Sequence, residues 1–206
     1  MTRSLRTRSR PFRHGLAFIA LRFFVFVLSW LPTRCIVWLG EHLGPILGPF
    51  ARRDDAIMAQ NLTAAFKTPP SLRRCWSDLG RRFVEFLCAD RFLTRFHCTA
   101  EARACLDAAI AQGTGTLIAT VHVGNWELMA ASLAQEGYQF CAVTGRIPKG
   151  PLGRWLMLQR RRLGVETTGV GSGALLALKR LRAGGAISLF IDQATQEKSR
   201  DIAYFG

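Results

Sequence analysis

From Thr116 onward the chain alternates short apolar runs with segments of helical spacing, and this rhythm carries most of what the sequence predicts about fold. Runs at 116–121, 139–144, 165–168 and 186–191 read as strands, because they are short, mostly apolar or β-branched, and bounded by turn signals. Between them 125–136, 151–163 and 172–183 carry helical periodicity, and Gly184-Gly185 is a fitting stop for the last. Strand and helix in strict alternation imply right-handed crossovers and an open sheet with helices on its faces.

The first half of the chain is patterned differently. Gly15 to Leu31 is a seventeen-residue apolar stretch with Arg22 inside it, and a second apolar piece, Cys35 to Ala51, is broken by Glu41, Gly44, Pro45, Gly48 and Pro49. Helical spacing returns at 53–66, ends before Pro69-Pro70, and resumes over 71–96, where Leu72, Trp76, Leu79, Phe83, Phe86 and Leu87 fall on one predicted face. A short helix at 101–112 precedes the first strand.

Charge then changes how the apolar start is read. The formal net charge is +14, and Arg3, Arg6, Arg8, Arg10 and Arg13 crowd the first fourteen residues, directly before the apolar stretch. Seventeen residues is close to the lower limit for a spanning helix, and a central arginine costs about 2.5–3.5 kcal/mol on insertion scales. An interfacial or re-entrant anchor is therefore expected over residues 1–51, with its basic flank on anionic headgroups and Trp30 and Trp38 near the interface. A signal peptide would need a small-x-small cleavage site, which does not follow. A plain core helix is the remaining reading.

The six cysteines are scattered without a C-x-x-C pair, which reads as reduced thiols and not as a disulfide framework. Zinc-finger and RNA-recognition signatures are absent and no helix-turn-helix is evident, so nucleic acid is not the expected anionic partner.

The candidate chemistry concentrates at Thr116 to Leu128, TLIATVHVGNWEL. His122 stands at the carboxyl end of the first predicted strand, and Glu127 lies in the first turn of the following helix, where open α/β sheets commonly hold active sites. An imidazole titrates near neutral pH and can take a hydroxyl proton, while a carboxylate on its other nitrogen would fix the tautomer. No serine or cysteine occupies a nucleophile elbow here, and H-E-x-x-H is absent, so direct attack by a substrate hydroxyl is favoured over a covalent serine or a zinc mechanism. The plainer alternative is a hydrogen-bonded core histidine, with Glu127 stabilising the helix N-terminus and Gly124 as its cap. Asp192 ends the last strand and could face the same crevice as His122, or could simply cap a turn. Arg146, on a turn after a strand, and the helix bearing Arg154, Arg160, Arg161 and Arg162 suit phosphate contacts, or could be a solvated face.

Taken in order, these elements resemble the bacterial lipid A biosynthesis acyltransferases, the late lauroyl/myristoyl branch of the lysophospholipid acyltransferase-like superfamily. The resemblance rests on the apolar N-terminal segment, the Arg52-Arg53 to Asn61-Leu62 and Ala65-Phe66 helix, HVGNWELM at His122 to Met129, VTGR ending at Arg146, the arginine-rich helix, and LFIDQ ending at Gln193. It implies an α/β fold, a mixed sheet flanked by helices in a glycerolipid acyltransferase-like sandwich, with an N-terminal membrane-anchoring helical segment before a domain at 52–206. It implies acyl transfer from an acyl carrier protein thioester to a hydroxyl of a lipid A precursor or related glycolipid or phospholipid, at the cytoplasmic face of the bacterial inner membrane. No metal is implied, and no cofactor beyond the carrier's phosphopantetheine.

By motif position His122 would be the base and Glu127 its partner. Arg146, Arg161 and Asp192 would contact substrate, with Asn125 and Gln193 as further binding candidates. Two departures stand out: Pro148-Lys149-Gly150 replaces the usual Asn-Pro element after Arg146, and the sequence stops at Gly206 where relatives continue. The domain is accordingly expected to be incomplete at its C-terminus. A truncated, non-catalytic membrane-bound binder of lipid or carrier protein is the alternative.

Overall fold

The structure is a computed structural model that describes residues 3–145, 150–169 and 172–192, with side chains from residue 15 onward apart from residues 52, 53 and 172. The described residues divide into two compact units, one built from those up to 27 together with those from 93 to 192, the other from 28–92.

The first unit carries the sheet. Its strands are β1 (Thr116–Thr120), β2 (Phe140–Thr144), β3 (Glu166–Gly169) and β4 (Ala186–Phe190), in the spatial order β1-β4-β2-β3. Every pairing is parallel, which corrects the expectation of a mixed sheet. The physical reason lies in the connections: β1, β2 and β3 are each followed by a helix long enough to carry the chain back to the sheet's starting edge, so successive strands run the same way. These helices are α7 (Trp126–Gln135), α8 (Pro151–Arg162) and α9 (Ser172–Arg182), and α6 (Ala100–Ala111) precedes β1.

One sheet face is sealed by Cys141 and Ile187 against Ala177 of α9, with Val143, Leu189 and Leu181 packed around them. On the opposite face Ile118, Thr120, Phe140, Ala142, Ser188 and Phe190 lie with Trp126, Met129 and Leu133 of α7 around a cavity of about 40 Å³. α9 ends where Gly184 enters the left-handed region at φ +82°, and the N–H of Gly185 donates back to the carbonyl of Arg180.

The second unit is helical. Its principal members are α2 (Thr33–Leu47), α3 (Arg52–Ala65), α4 (Leu72–Leu87) and the single turn α5 (Ala89–Phe92). The helix expected over 71–96 therefore breaks at Cys88, whose backbone is non-helical at φ −113° and ψ 35°. The expected apolar face also differs: Val84, Phe86 and Leu87 are buried, whereas Leu79 and Phe83 are exposed. Glycines explain the shift. α2 and α4 approach through Gly40, Gly44 and Gly80, so closely that a methyl on Gly44 would sit 1.9 Å from the Trp76 carbonyl oxygen. Ser77 Oγ donates to the Glu41 carbonyl at 2.9 Å and Arg81 bridges Glu41 and Glu85, which fixes the same contact. The Arg91 guanidinium donates to the carbonyls of Leu28, Ser29 and Leu31, and so satisfies the last turn of α1 (Arg3–Trp30).

On α1, Leu16, Ile19, Phe23 and Phe26 are exposed at three- and four-residue spacing, and Trp30 is exposed as well. Among the described residues no helix is long and apolar enough to cross a membrane, so the anchor expected over residues 1–51 is not supported as a spanning segment.

Candidate active site

The site forms where β1 and β4 end side by side. Thr120 stands opposite Phe190 in the parallel register, and the Ile191 N–H donates to the Thr120 carbonyl at 3.0 Å, so the pairing carries one residue past the strand. Two residues beyond that register pair lie His122 on one strand and Asp192 on the other. A tight turn closed by the Val123 N–H on the Val121 carbonyl, 2.8 Å, puts His122 at its tip. Gly124 then takes φ +61°, a left-handed conformation that lets the chain swing directly into α7.

Asp192 grips His122 twice. Its Oδ2 accepts the backbone N–H of His122 at 2.6 Å, and its Oδ1 lies 2.8 Å from Nδ1 of the ring. Burial raises the carboxyl's pKa, but the hydrogen bonds from the His122 main chain and ring and the imidazole's charge outweigh it and hold Asp192 below the ordinary carboxylate range. An ionised Asp192 accepts only, so neutral His122 carries its proton on Nδ1 and presents a bare Nε2. The ring stacks on Phe190 with centroids 3.8 Å apart and planes 20° apart, and meets Trp126 edge-on at 5.0 Å.

Glu127 is engaged elsewhere. Its carboxylate takes a bidentate grip from Arg160, Nη2 to Oε1 at 2.5 Å and Nε to Oε2 at 3.0 Å, with both side chains less than a fifth exposed. No hydrogen bond or ion pair joins Glu127 to His122 in this structure; where a His122–Glu127 couple was expected, the imidazole is paired with Asp192 and Glu127 with Arg160. Helical geometry accounts for this: Glu127 sits on the first turn of α7, and the neighbouring α8 offers it a permanently charged, forked donor.

Asn125 caps α7, its Oδ1 accepting the Leu128 N–H at 3.3 Å, so the cap is Asn125 and not Gly124. Arg161 is exposed and lines a groove of about 860 Å³ with Arg154, Met157, Leu158 and Thr167, apart from the partly buried Arg160. Arg146 and Gln193 lie outside the described residues. Below the ring, Thr120 Oγ1 and Ser188 Oγ share a hydrogen bond of 2.7 Å across β1 and β4. Among the described residues no group of three or more His, Cys, Asp or Glu side chains is placed to hold a metal ion.

The roles of Arg160 and Phe190 are not visible in residue spacing alone. The triple arginine marks α8 without saying which guanidinium turns inward, and Phe190 reads as one more apolar residue in a buried strand. The available signal was register, since strands ending in His122 and Asp192 bring the two together only when paired directly.

A stretch of 105 residues, 49% of the chain, is 28% identical to the phosphatidylinositol mannoside acyltransferases of Mycobacterium tuberculosis strain CDC 1551 / Oshkosh and strain ATCC 25618 / H37Rv. The match spans only 33% of the length of each of those relatives. The model of the bacterial lipid A biosynthesis acyltransferases matches residues 5–206, and the chain belongs to that family.

Proposed function

We propose that the protein transfers a fatty acyl group from an acyl carrier protein thioester to a hydroxyl of a lipid A precursor or a related glycolipid, with His122 as general base. The observation that carries this reading is the 2.8 Å contact between His122 Nδ1 and Asp192 Oδ1, which leaves Nε2 as the free basic atom at a partly open strand end. Family membership supports the reaction class, and the match to phosphatidylinositol mannoside acyltransferases supports a glycolipid acceptor.

The steps balance without an external reagent. The acceptor hydroxyl attacks the thioester carbonyl carbon, forming the C–O bond as its proton passes to Nε2. Asp192 stabilises the imidazolium so formed, and the tetrahedral intermediate collapses with cleavage of the C–S bond. The departing thiolate, on the carrier's phosphopantetheine arm, recovers the proton from Nε2. Ester and thiol are the products, and His122 is neutral again.

An excess of fourteen positive charges supports an acidic carrier as the donor, and the exposed Arg154 and Arg161 beside the groove on α8 are the proposed contacts. The exposed stripe Leu16, Ile19, Phe23 and Phe26, behind a basic N-terminus, supports a helix lying in the interface of an anionic bilayer. The cytoplasmic face of the bacterial inner membrane is the proposed location, as the resemblance to the lipid A acyltransferases implies.

The test is transfer of a radiolabelled acyl chain from acyl carrier protein to a lipid A precursor in mixed micelles. Wild-type turnover abolished in His122→Ala is expected. Binding of the donor without turnover in the wild-type chain, or full turnover in the variant, would defeat the proposal.

A further inference from the structure

We infer that Phe190 is a positioning residue that sets the plane of the His122 imidazole, and so fixes where Nε2 points. The inference rests on His122 acting as the base. Asp192 holds Nδ1 but leaves the ring able to rock about the line from Nδ1 to Oδ1, because a single hydrogen bond constrains one atom of a flat ring. A second flat surface removes that freedom. Phe190 supplies it, with a centroid separation of 3.8 Å and an interplanar angle of 20°, which is stacking at van der Waals contact. Trp126 closes the arrangement, standing at 76° to the imidazole and at 86° to Phe190.

Strand geometry makes the pairing economical. Phe190 closes β4 and Asp192 stands two residues beyond it, and both reach the His122 ring. The same strand end therefore presents to one imidazole both the carboxylate that selects its tautomer and the ring that selects its plane. The aromatic face is also suited to the reaction: the imidazolium formed on proton transfer is a cation, and a ring quadrupole attracts a cation held over its face. A residue needed only to fill space would not require planarity. Phe190 is only half-buried and borders a cavity of about 40 Å³, so leucine could occupy its place without overpacking.

The experiment is proton NMR of the full chain in detergent micelles, combined with steady-state acyl transfer. The chain has four histidines, and the His122 ring signals are identified by their loss in His122→Gln. In the wild type they are expected upfield of ordinary histidine positions through the Phe190 ring current, with cross-relaxation to Phe190 ring protons. Phe190→Leu should return them to ordinary positions and lower kcat about 2- to 12-fold, the rate equivalent of an aromatic pair, with KM little changed. Phe190→Tyr should restore both. Unshifted His122 signals in the wild type overturn the inference, even where Phe190→Leu fails to fold. So does a folded Phe190→Leu that keeps the wild-type signals and kcat. A chain with no turnover defeats the acyltransferase reading, and the ring-current shifts then decide this inference independently.

Discussion

Two carboxylates sit near the candidate base, and exchanging each for its amide separates their work. In Asp192→Asn the side-chain NH2 competes for Nδ1, which favours the tautomer with its proton on Nε2 and points the basic lone pair away from substrate. A hydrogen bond to a charged group contributes about 1.5–3 kcal/mol, and at about 1.4 kcal/mol per factor of ten its loss from the transition state lowers kcat about 10- to 150-fold. The ring and carboxylate are 33% and 23% exposed, so solvent screening places the expected value toward the lower end. KM should change little, since the interaction strengthens only when the ring is protonated.

Glu127→Gln perturbs a different contact. It strips a bidentate partner from Arg160 where the two side chains are 14% and 17% exposed. Removing one member of a fully buried pair costs about 3–5 kcal/mol, and incomplete burial reduces this to about 1–3 kcal/mol. At roughly 2–4 °C per kcal/mol for a chain of this size, the unfolding midpoint should fall by about 2–12 °C. Because Glu127 acts through Arg160, Arg160→Met should reproduce the effect, and the double variant should be little worse than the worse single one. Nitrogen-15 NMR of the imidazole reads the tautomer, steady-state transfer reads kcat, and circular dichroism reads the midpoint. The reasoning fails if Glu127→Gln switches the His122 tautomer while Asp192→Asn leaves tautomer and kcat untouched, or if the Glu127 and Arg160 effects simply add.

Because the Asp192 carboxyl is held below its ordinary range, its contribution to stability is present above the unfolded value of about 3.9 and is lost as pH falls through the lower folded value. Urea midpoints of wild type and Asp192→Asn should therefore differ at neutral pH and converge in acid; a constant difference would contradict the linkage. Gly44→Ala and Gly80→Ala, whose added methyls would meet backbone oxygens at 1.9 and 2.2 Å, should cost about 1–3 kcal/mol or more, whereas Gly145→Ala meets nothing within 4 Å and should be nearly silent in thermal unfolding. Phe23→Glu and Phe26→Glu should each weaken binding to vesicles containing anionic lipid by at least about tenfold, given about 1.5–3 kcal/mol for burying such a side chain, and cosedimentation unchanged by both would remove α1 from the interface.

The strands and crossover helices of the first unit were legible because the residues specifying them are contiguous. Short, mostly apolar runs between turn signals fit strands, and Gly184-Gly185 ends a helix for local steric reasons. The second unit was less legible because its contact is made by what its residues lack. At Gly40, Gly44 and Gly80 the absence of side chains lets two backbones touch, so the buried face of α4 is organised around glycine and leaves Leu79 and Phe83 outside. A hydrophobic periodicity counts side chains and cannot register a packing surface made of hydrogens.

The partner of His122 was obscured for a related reason. Glu127 is close in sequence and on the first turn of the next helix, which makes it the natural choice when only spacing is available. Asp192 is seventy residues away and becomes the neighbour through one fact of topology, that β4 inserts between β1 and β2. Had β2 paired with β1 directly, β4 would not lie beside β1 and Asp192 would not face the imidazole from that side. The strand order therefore decides the chemistry as much as the residue types do. It brings Phe190 and Asp192 to His122 together and leaves Glu127 to the guanidinium on α8. A variant that kept every one of these side chains but disturbed the β1–β4 register by one residue would part Asp192 from His122, and should lower kcat at least as far as Asp192→Asn does.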